Sequence, residues 1–242
     1  MGKLIEDPSL RDRVYVFADR ADAGQRLAVH FLKYRQDIHL FATPAGGVPV
    51  ATKIALFAIP AGGVPVAAEI ARLLGIPLDL IIVRKIQLPW TTEAGFGALN
   101  PAGEAILNED LLERLRLTPE EIQEQVQKTA AILQQREARL RGGKPYPRLK
   151  GRPTLVVDDG LASGYTMRAA LKFLKEQGAR PLIVAVPTGS GRTVRELQPL
   201  VDELYCLNVR TGPSFAVADA YRAWYDLTED EVLGILRSVR KD

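Results

Sequence analysis

Cysteine is almost missing from this chain of 242 residues. Cys206 stands alone inside the apolar stretch Leu204-Tyr205-Cys206-Leu207. That excludes an intrachain disulfide and a paired-cysteine metal knuckle, and it reads as a buried structural thiol. No block of one charge is present either. Lys and Arg sum to 32 and Asp and Glu to 29, interspersed, so no basic arm points to a nucleic-acid partner. A net charge of +3 still lets one cleft focus anions. Long hydrophobic runs are lacking too: the longest uncharged ones, residues 38–52 and 54–68, are short for a membrane span and broken by Pro and Gly pairs. Met1-Gly2-Lys3-Leu4-Ile5-Glu6 has no apolar signal core, and Glu6 stands where a myristoylation signal needs Ser or Thr. The expectation is a soluble, cytoplasmic protein without a membrane or nucleic-acid partner. Glycine follows no three-residue period, and 47% hydrophobic with 25% charged residues is a globular balance, which excludes collagen-like and disordered classes. A chain of this length buries about 70–75% of its unfolded surface as one large or two small domains.

What the chain does have is glycine and proline, 20 and 16 residues, and part of that total is written twice. Residues 40–55 recur as residues 56–71 with only Thr43/Ile59, Thr52/Ala68 and Lys53/Glu69 changed. A solenoid needs at least about three units, so residues 40–71 are a local tandem duplication within one domain. Each copy reads as an apolar strand, a Pro-x-Gly-Gly turn, and a helix with Pro49 or Pro65 at its first position. Apolar runs at residues 78–83, 154–157 and 182–186, each followed by a helical pattern, suit a parallel sheet buried on both faces. Thr118-Pro119-Glu120-Glu121 is a capping box that opens a charged helix ending near Gly142-Gly143, its polar face a solvated surface. The prediction is an α/β, doubly wound, mainly parallel sheet that binds its ligand beyond the carboxyl ends of the strands, as a single domain over residues 1–242.

One strand end carries unusual chemistry. Thr154-Leu155-Val156-Val157 runs straight into Asp158-Asp159-Gly160-Leu161-Ala162-Ser163-Gly164-Tyr165-Thr166, and a helix over residues 168–177 follows. Two acids and a small-residue turn at a strand-to-helix junction suit a sugar phosphate. Carboxylates accept from vicinal hydroxyls, while amides and the Ser163 and Thr166 hydroxyls donate to a phosphate at the helix N-terminus. An Asp-Gly turn that merely caps the helix accounts for Gly160 but leaves two acids on a buried strand end without partners, which is costly.

The run from Val156 to Thr166 resembles the phosphoribosyl-diphosphate (PRPP) signature of type I phosphoribosyltransferases. The resemblance extends over most of the chain, in order, through Asp19-Arg20-Ala21-Asp22-Ala23-Gly24, Pro-x-Gly-Gly-Val-Pro-Val-Ala, Val83-Arg84-Lys85, Glu93-Ala94-Gly95-Phe96-Gly97-Ala98, Phe215-Ala216-Val217 and Trp224-Tyr225. It implies the type I fold with a small hood from residues 206–228 plus N-terminal residues, and magnesium-dependent transfer of a phosphoribosyl group from PRPP to a nitrogenous base with release of diphosphate. By the same resemblance, Asp158 and Asp159 hold the ribose hydroxyls and orient Mg2+, and Gly160, Leu161, Ala162, Ser163, Gly164, Tyr165 and Thr166 wrap the 5-phosphate. The Pro-x-Gly-Gly turn, often holding a strained peptide in this family, offers amides to the diphosphate. Arg84 and Lys85, at the end of their strand, bring charge to it, residues 87–96 form a flap, and Phe215, Trp224 and Tyr225 meet the base. Catalysis then falls to Asp158, Asp159 and Lys85.

Three departures from the pattern stand out. Many relatives carry Arg after the loop proline where this chain has Ala45 and Ala61, and the acidic base position of hypoxanthine-guanine enzymes is Ala162 here. The duplication also supplies two candidate diphosphate loops. The second copy, Ala61-Gly62-Gly63, is preferred because it leads directly into the longer helix and on to Arg84-Lys85. Loss of the loop arginine keeps a second function open, a PRPP-sensing regulator with little or no turnover. The duplicated apolar segment would suit an interface, so a homodimer is compatible with the sequence.

Overall fold

The computed structural model describes residues 2–35 and 54–239, and residues 40–53 of the first repeat copy lie outside them. In chain order the elements are β1 (Lys3–Ile5), α1 (Arg20–Ala28), β2 (Ala55–Ala58), α2 (Gly63–Leu74), β3 (Leu78–Leu80), β4 (Arg84–Leu88), β5 (Thr91–Leu99), β6 (Ala105–Leu107) and α3 (Glu109–Leu115). There follow α4 (Pro119–Arg141), β7 (Thr154–Val157), α5 (Tyr165–Glu176), β8 (Leu182–Ser190), α6 (Gly191–Leu197), β9 (Glu203–Arg210) and α7 (Glu229–Val239). Six strands form one sheet in the order β1-β9-β8-β7-β2-β3, every neighbouring pair parallel. The antiparallel β4-β5-β6 sheet stands apart from it.

Strand side chains alternate between two cores, as a period of two dictates. Leu56, Ala58, Leu155 and Val157 pack with Leu27 of α1, Ile70 of α2 and Val232 of α7. Phe57, Val156 and Val184 face the other way, onto Leu171 of α5 and Val194 of α6. Covering both faces explains why β7 and the first eight residues of β8 are buried throughout, with unbroken apolar runs at residues 155–157 and 182–186. Fully burying each Leu, Ile or Val contributes about 1.5–3 kcal/mol. The doubly wound α/β class predicted from the sequence is the observed one. Among the described residues, no helix is long and apolar enough to cross a membrane.

Several boundaries differ from expectation for local reasons. β3 stops at Leu80: Ile81 donates to Ala58 O at 3.0 Å as the last rung, after which Ile82 donates to the Tyr146 hydroxyl and the chain leaves the sheet. Arg84 and Lys85 therefore open the β4–β5 hairpin rather than close a parallel strand. Pro65 is the third residue of α2, not the first, and is tolerated because amides of the first turn have no intrahelical acceptor. α5 begins at Tyr165, three residues early, after Gly164 turns the chain in the left-handed region at φ 79°. α4 opens on the predicted capping box at Thr118 and ends on Gly142. The hood is shorter than expected, because residues 206–210 belong to β9 in the central sheet. What leaves the sheet, from Thr211 onward, folds back on the N-terminal segment: Phe17 N donates to Ala220 O, and Arg222 N to Phe17 O.

Candidate functional site

After β2 the winding proceeds outward to β3, and after β7 it proceeds the opposite way through β8 to β9. The loops following these two adjacent strands therefore diverge and leave a crevice at the carboxyl edge, the place where doubly wound sheets hold ligands. A cleft of about 310 Å3 lies there. Into it come Pro60 and Gly62 after β2, Asp158 and Asp159 after β7, Thr166 of α5, Arg84 and Lys85 of β4, and Arg136 of α4.

The acid pair is tightly held. Asp158 Oδ1 accepts from the Asp159 amide at 2.9 Å, and Asp159 Oδ2 accepts from Arg20 Nε at 2.9 Å. The Arg20 side chain is only 8% exposed, so its charge acts on Asp159 with little solvent screening. Burial, and then the neighbouring Asp159 charge, push Asp158 well above the usual carboxylate range. Burial raises Asp159 too, against the pull of Arg20. Arg20 is itself fixed: it donates to Tyr225 O at 2.9 Å and lies 3.8 Å from the centre of the Trp224 ring. The Tyr221 hydroxyl donates to Asp159 O at 2.6 Å.

Among the described residues, the loop of the second repeat copy reaches this cleft. Its Pro60–Ala61 peptide is cis. Gly63 N donates to Ile59 O at 3.0 Å and opens α2. A Cβ on Gly62 would sit 1.9 Å from Asp159 Oδ2, and one on Gly63 would meet Val157 O at 2.5 Å. The two glycines thus let one backbone lie directly against the acid pair. The loop after β7 meets the cleft at Thr166, and among the described residues the amides of Ala162, Ser163, Gly164, Tyr165 and Thr166 find no backbone acceptor. Consecutive free N–H groups at the start of a twelve-residue helix are suited to an anion.

The remaining predicted residues divide. Ala162 and Ser163 are exposed on the loop, while Leu161 is core and fixes the loop by donating to Thr188 O. Gly160 faces Val217 of the hood, whose Cγ1 a Cβ there would approach to 2.6 Å. Residues 87–96 form the outer part of the β4–β5 hairpin, and Lys85 Nζ donates to Glu93 O within it. Trp224 and Tyr225 reach the acid pair indirectly, both through Arg20 and Trp224 also through the Tyr221 ring, 5.3 Å away. Phe215 is not among the residues lining the cleft; the Arg210 guanidinium lies 5.1 Å from its ring centre. Cys206 is buried, and burial holds its thiol well above its ordinary range.

Residues 39–211 match the family model described as a phosphoribosyl transferase domain. The chain belongs to that family. Over 228 residues, 94% of its length, this phosphoribosyl transferase domain is 33% identical to the Mycobacterium tuberculosis proteins named "Putative phosphoribosyl transferase" in strains CDC 1551 and H37Rv. The chain spans about half the length of these curated relatives, 48%. A crystal structure from Thermus thermophilus, that of TT1426, is 30% identical with a TM-score of 0.66, covering 92% of this chain and 98% of that one. Three residues in or around the cleft were assigned no role from the sequence. Arg20 lay in a segment already singled out, but nothing local tied it to Asp159; Tyr221 and Arg136 carried no signal.

Proposed function

We propose that the chain transfers the phosphoribosyl group of PRPP to a nitrogenous base with release of diphosphate. The observation that carries this reading is the convergence, in one cleft, of an acid pair, a loop of free amides at a helix start, and Arg84 with Lys85. A ribose fits between the two anion-seeking walls, with its vicinal hydroxyls donating to Asp158 and Asp159 and its 5-phosphate on the amides of residues 162–166. The diphosphate then falls toward Gly62, Arg84 and Lys85. Cleavage at the anomeric carbon passes through an oxocarbenium-like state, as in glycoside hydrolysis, so leaving-group charge must be stabilised and water kept out. Arg84 and Lys85 serve the first need. The β4–β5 hairpin, tied to Lys85 through Glu93 O, serves the second.

The donor set suits magnesium. Among the described residues, Asp158 and Asp159 are the only carboxylates lining the cleft, and no group of three or more His, Cys, Asp or Glu gathers. Mg2+ characteristically takes one or two carboxylates and completes its shell with water and substrate oxygens. When bound, it would neutralise developing charge on the diphosphate.

That same lining favours a second reading. It offers no carboxylate or imidazole beyond the acid pair to take a proton from an acceptor, which is what a PRPP sensor without turnover would show. Incubating the protein with PRPP, Mg2+ and a panel of purines, pyrimidines and related bases, and assaying diphosphate, separates the two. Release with one base supports the transferase. PRPP binding without release on any base selects the sensor, and absence of PRPP binding overturns both.

A further inference from the structure

The loop that meets the acid pair has Ala61 after its proline, so it brings no cation to the leaving group. A cation does reach the cleft from elsewhere. Arg136 lies on α4, outside the central sheet, yet it lines the same cleft as Asp158, Asp159 and Lys85. We propose that Arg136 is a diphosphate-binding residue that acts as a pair with Arg84, with Glu229 of α7 as its counter-ion until diphosphate binds. This rests on the PRPP reading above.

Four observations support it. Among the described residues, the half-buried Arg84 guanidinium makes no hydrogen bond and no carboxylate contact within 4 Å. Burial, and then the Arg136 charge facing it, hold it below its ordinary range. Two guanidinium groups sharing one wall of a cleft repel each other, and a multiply charged anion between them relieves that repulsion. Second, Arg136 has capacity left: Nε is spent on Glu229 at 2.9 Å, but Glu229 is shared with Arg139 Nε at 3.1 Å, and among the described residues the two terminal nitrogens of Arg136 donate no hydrogen bond. Those nitrogens form the fork that suits phosphate oxygens. Third, there is room, because a chamber of about 430 Å3 continues past Arg84 and Arg136. Fourth, α4 is held firmly five residues on, where the buried Arg141 pairs with Asp79 and donates to Leu80 O, both at 2.6 Å. Arg136 therefore approaches from a fixed backbone, its side chain exchanging one anion, Glu229, for another.

The test compares three probes by titration calorimetry with Mg2+ present: PRPP, inorganic diphosphate and ribose 5-phosphate. Arg136→Gln is expected to weaken PRPP and inorganic diphosphate at least about tenfold and to leave ribose 5-phosphate within about twofold, because only the first two carry a diphosphate. Equal loss for all three probes, or no loss for any, overturns the proposal. Should Arg136→Gln fail to fold, Glu229→Gln decides: removing the competing carboxylate should tighten inorganic diphosphate about two- to fivefold, and weakening would count against the assignment. If the wild type binds inorganic diphosphate in an Arg136-dependent way but not PRPP, the diphosphate seat stands and the transferase reading falls. If it binds none of the probes, both fall.

Discussion

The central sheet has a concavity at each end, and the two differ in chemistry more than in size. At the amino ends of β8 and β9 a cleft of about 400 Å3 lies among Lys175, Gly178, Arg180, Pro199 and Asp202. Its backbone groups and its one carboxylate are engaged within the fold: Asp202 Oδ2 accepts from Leu182 N at 2.8 Å, Gly178 N donates to Lys175 O, and Arg180 N donates to Arg152 O, while the Lys175 and Arg180 side chains lie exposed to solvent. At the carboxyl ends the smaller cleft holds an acid pair displaced upward in pKa, a row of unengaged amides and a cluster of cations. Volume does not mark the functional end of this sheet. A buried acid pair facing cations and unengaged backbone amides does, because packing that serves stability alone keeps charge out of the interior and satisfies backbone groups wherever it can.

The largest effect that could break this contrast is at the acids. Asp158→Asn should lower PRPP affinity at least about a hundredfold by calorimetry while the melting temperature holds or rises, since the buried acid that repels Asp159 is neutralised and Arg20 keeps its partner. Unchanged affinity would remove the distinction between the two ends. Next is Gly63→Val, whose Cβ would collide with the β7 backbone; about 1–3 kcal/mol of stability should be lost in urea unfolding, with PRPP binding weakened as well. Arg20→Gln should act through Asp159. Arg20 lowers the pKa of that carboxyl, so its removal raises it, and the pH below which PRPP binding fades should move upward in a pH series of calorimetric titrations. In the wild type the same sign applies to Asp158: with its pKa raised, the carboxylate proposed to bind ribose and Mg2+ is lost on acidification sooner than an ordinary aspartate would be. The smallest effect is expected at the other end, where Lys175→Ala and Arg180→Ala, both exposed, should leave PRPP affinity unchanged and stability within about 0.5 kcal/mol.

How far the sequence went follows from how local each signal was. β7 and its two acids were legible because an apolar run ending in Asp158-Asp159 has few other uses. The capping box at Thr118 and the Gly142 stop framed α4 almost to the residue, since both depend on neighbours three or four positions away. Arg20 acts on a carboxyl 139 residues distant, and no periodicity encodes that. Arg136 was hidden for another reason: a charged helix face reads as solvated, and one arginine turned inward among many looks like the rest. The end of β3 was misjudged because Ile81, Ile82 and Val83 are as apolar and buried as strand residues while leaving the sheet. Between the two repeat copies the sequence favoured the second only by continuity with the following helix. The described structure places that copy against Asp159 through Gly62.

The pairing of β1 with β9 bears on how the chain comes together. Lys3 meets Glu203, Phe17 meets Tyr221, and Arg20 meets Asp159, so the opening segment is stitched to partners made much later in synthesis. Contacts of such long range are the slow ones to form, because loop closure precedes any gain from them. β2, α2 and β3 can associate early, but the acid pair acquires Tyr221, and Arg20 its partners Trp224 and Tyr225, only when the last third of the chain has been added. A half-folded chain therefore has no finished pocket, and a ligand that needs the finished pocket selects the fully assembled molecule and stabilises it by mass action.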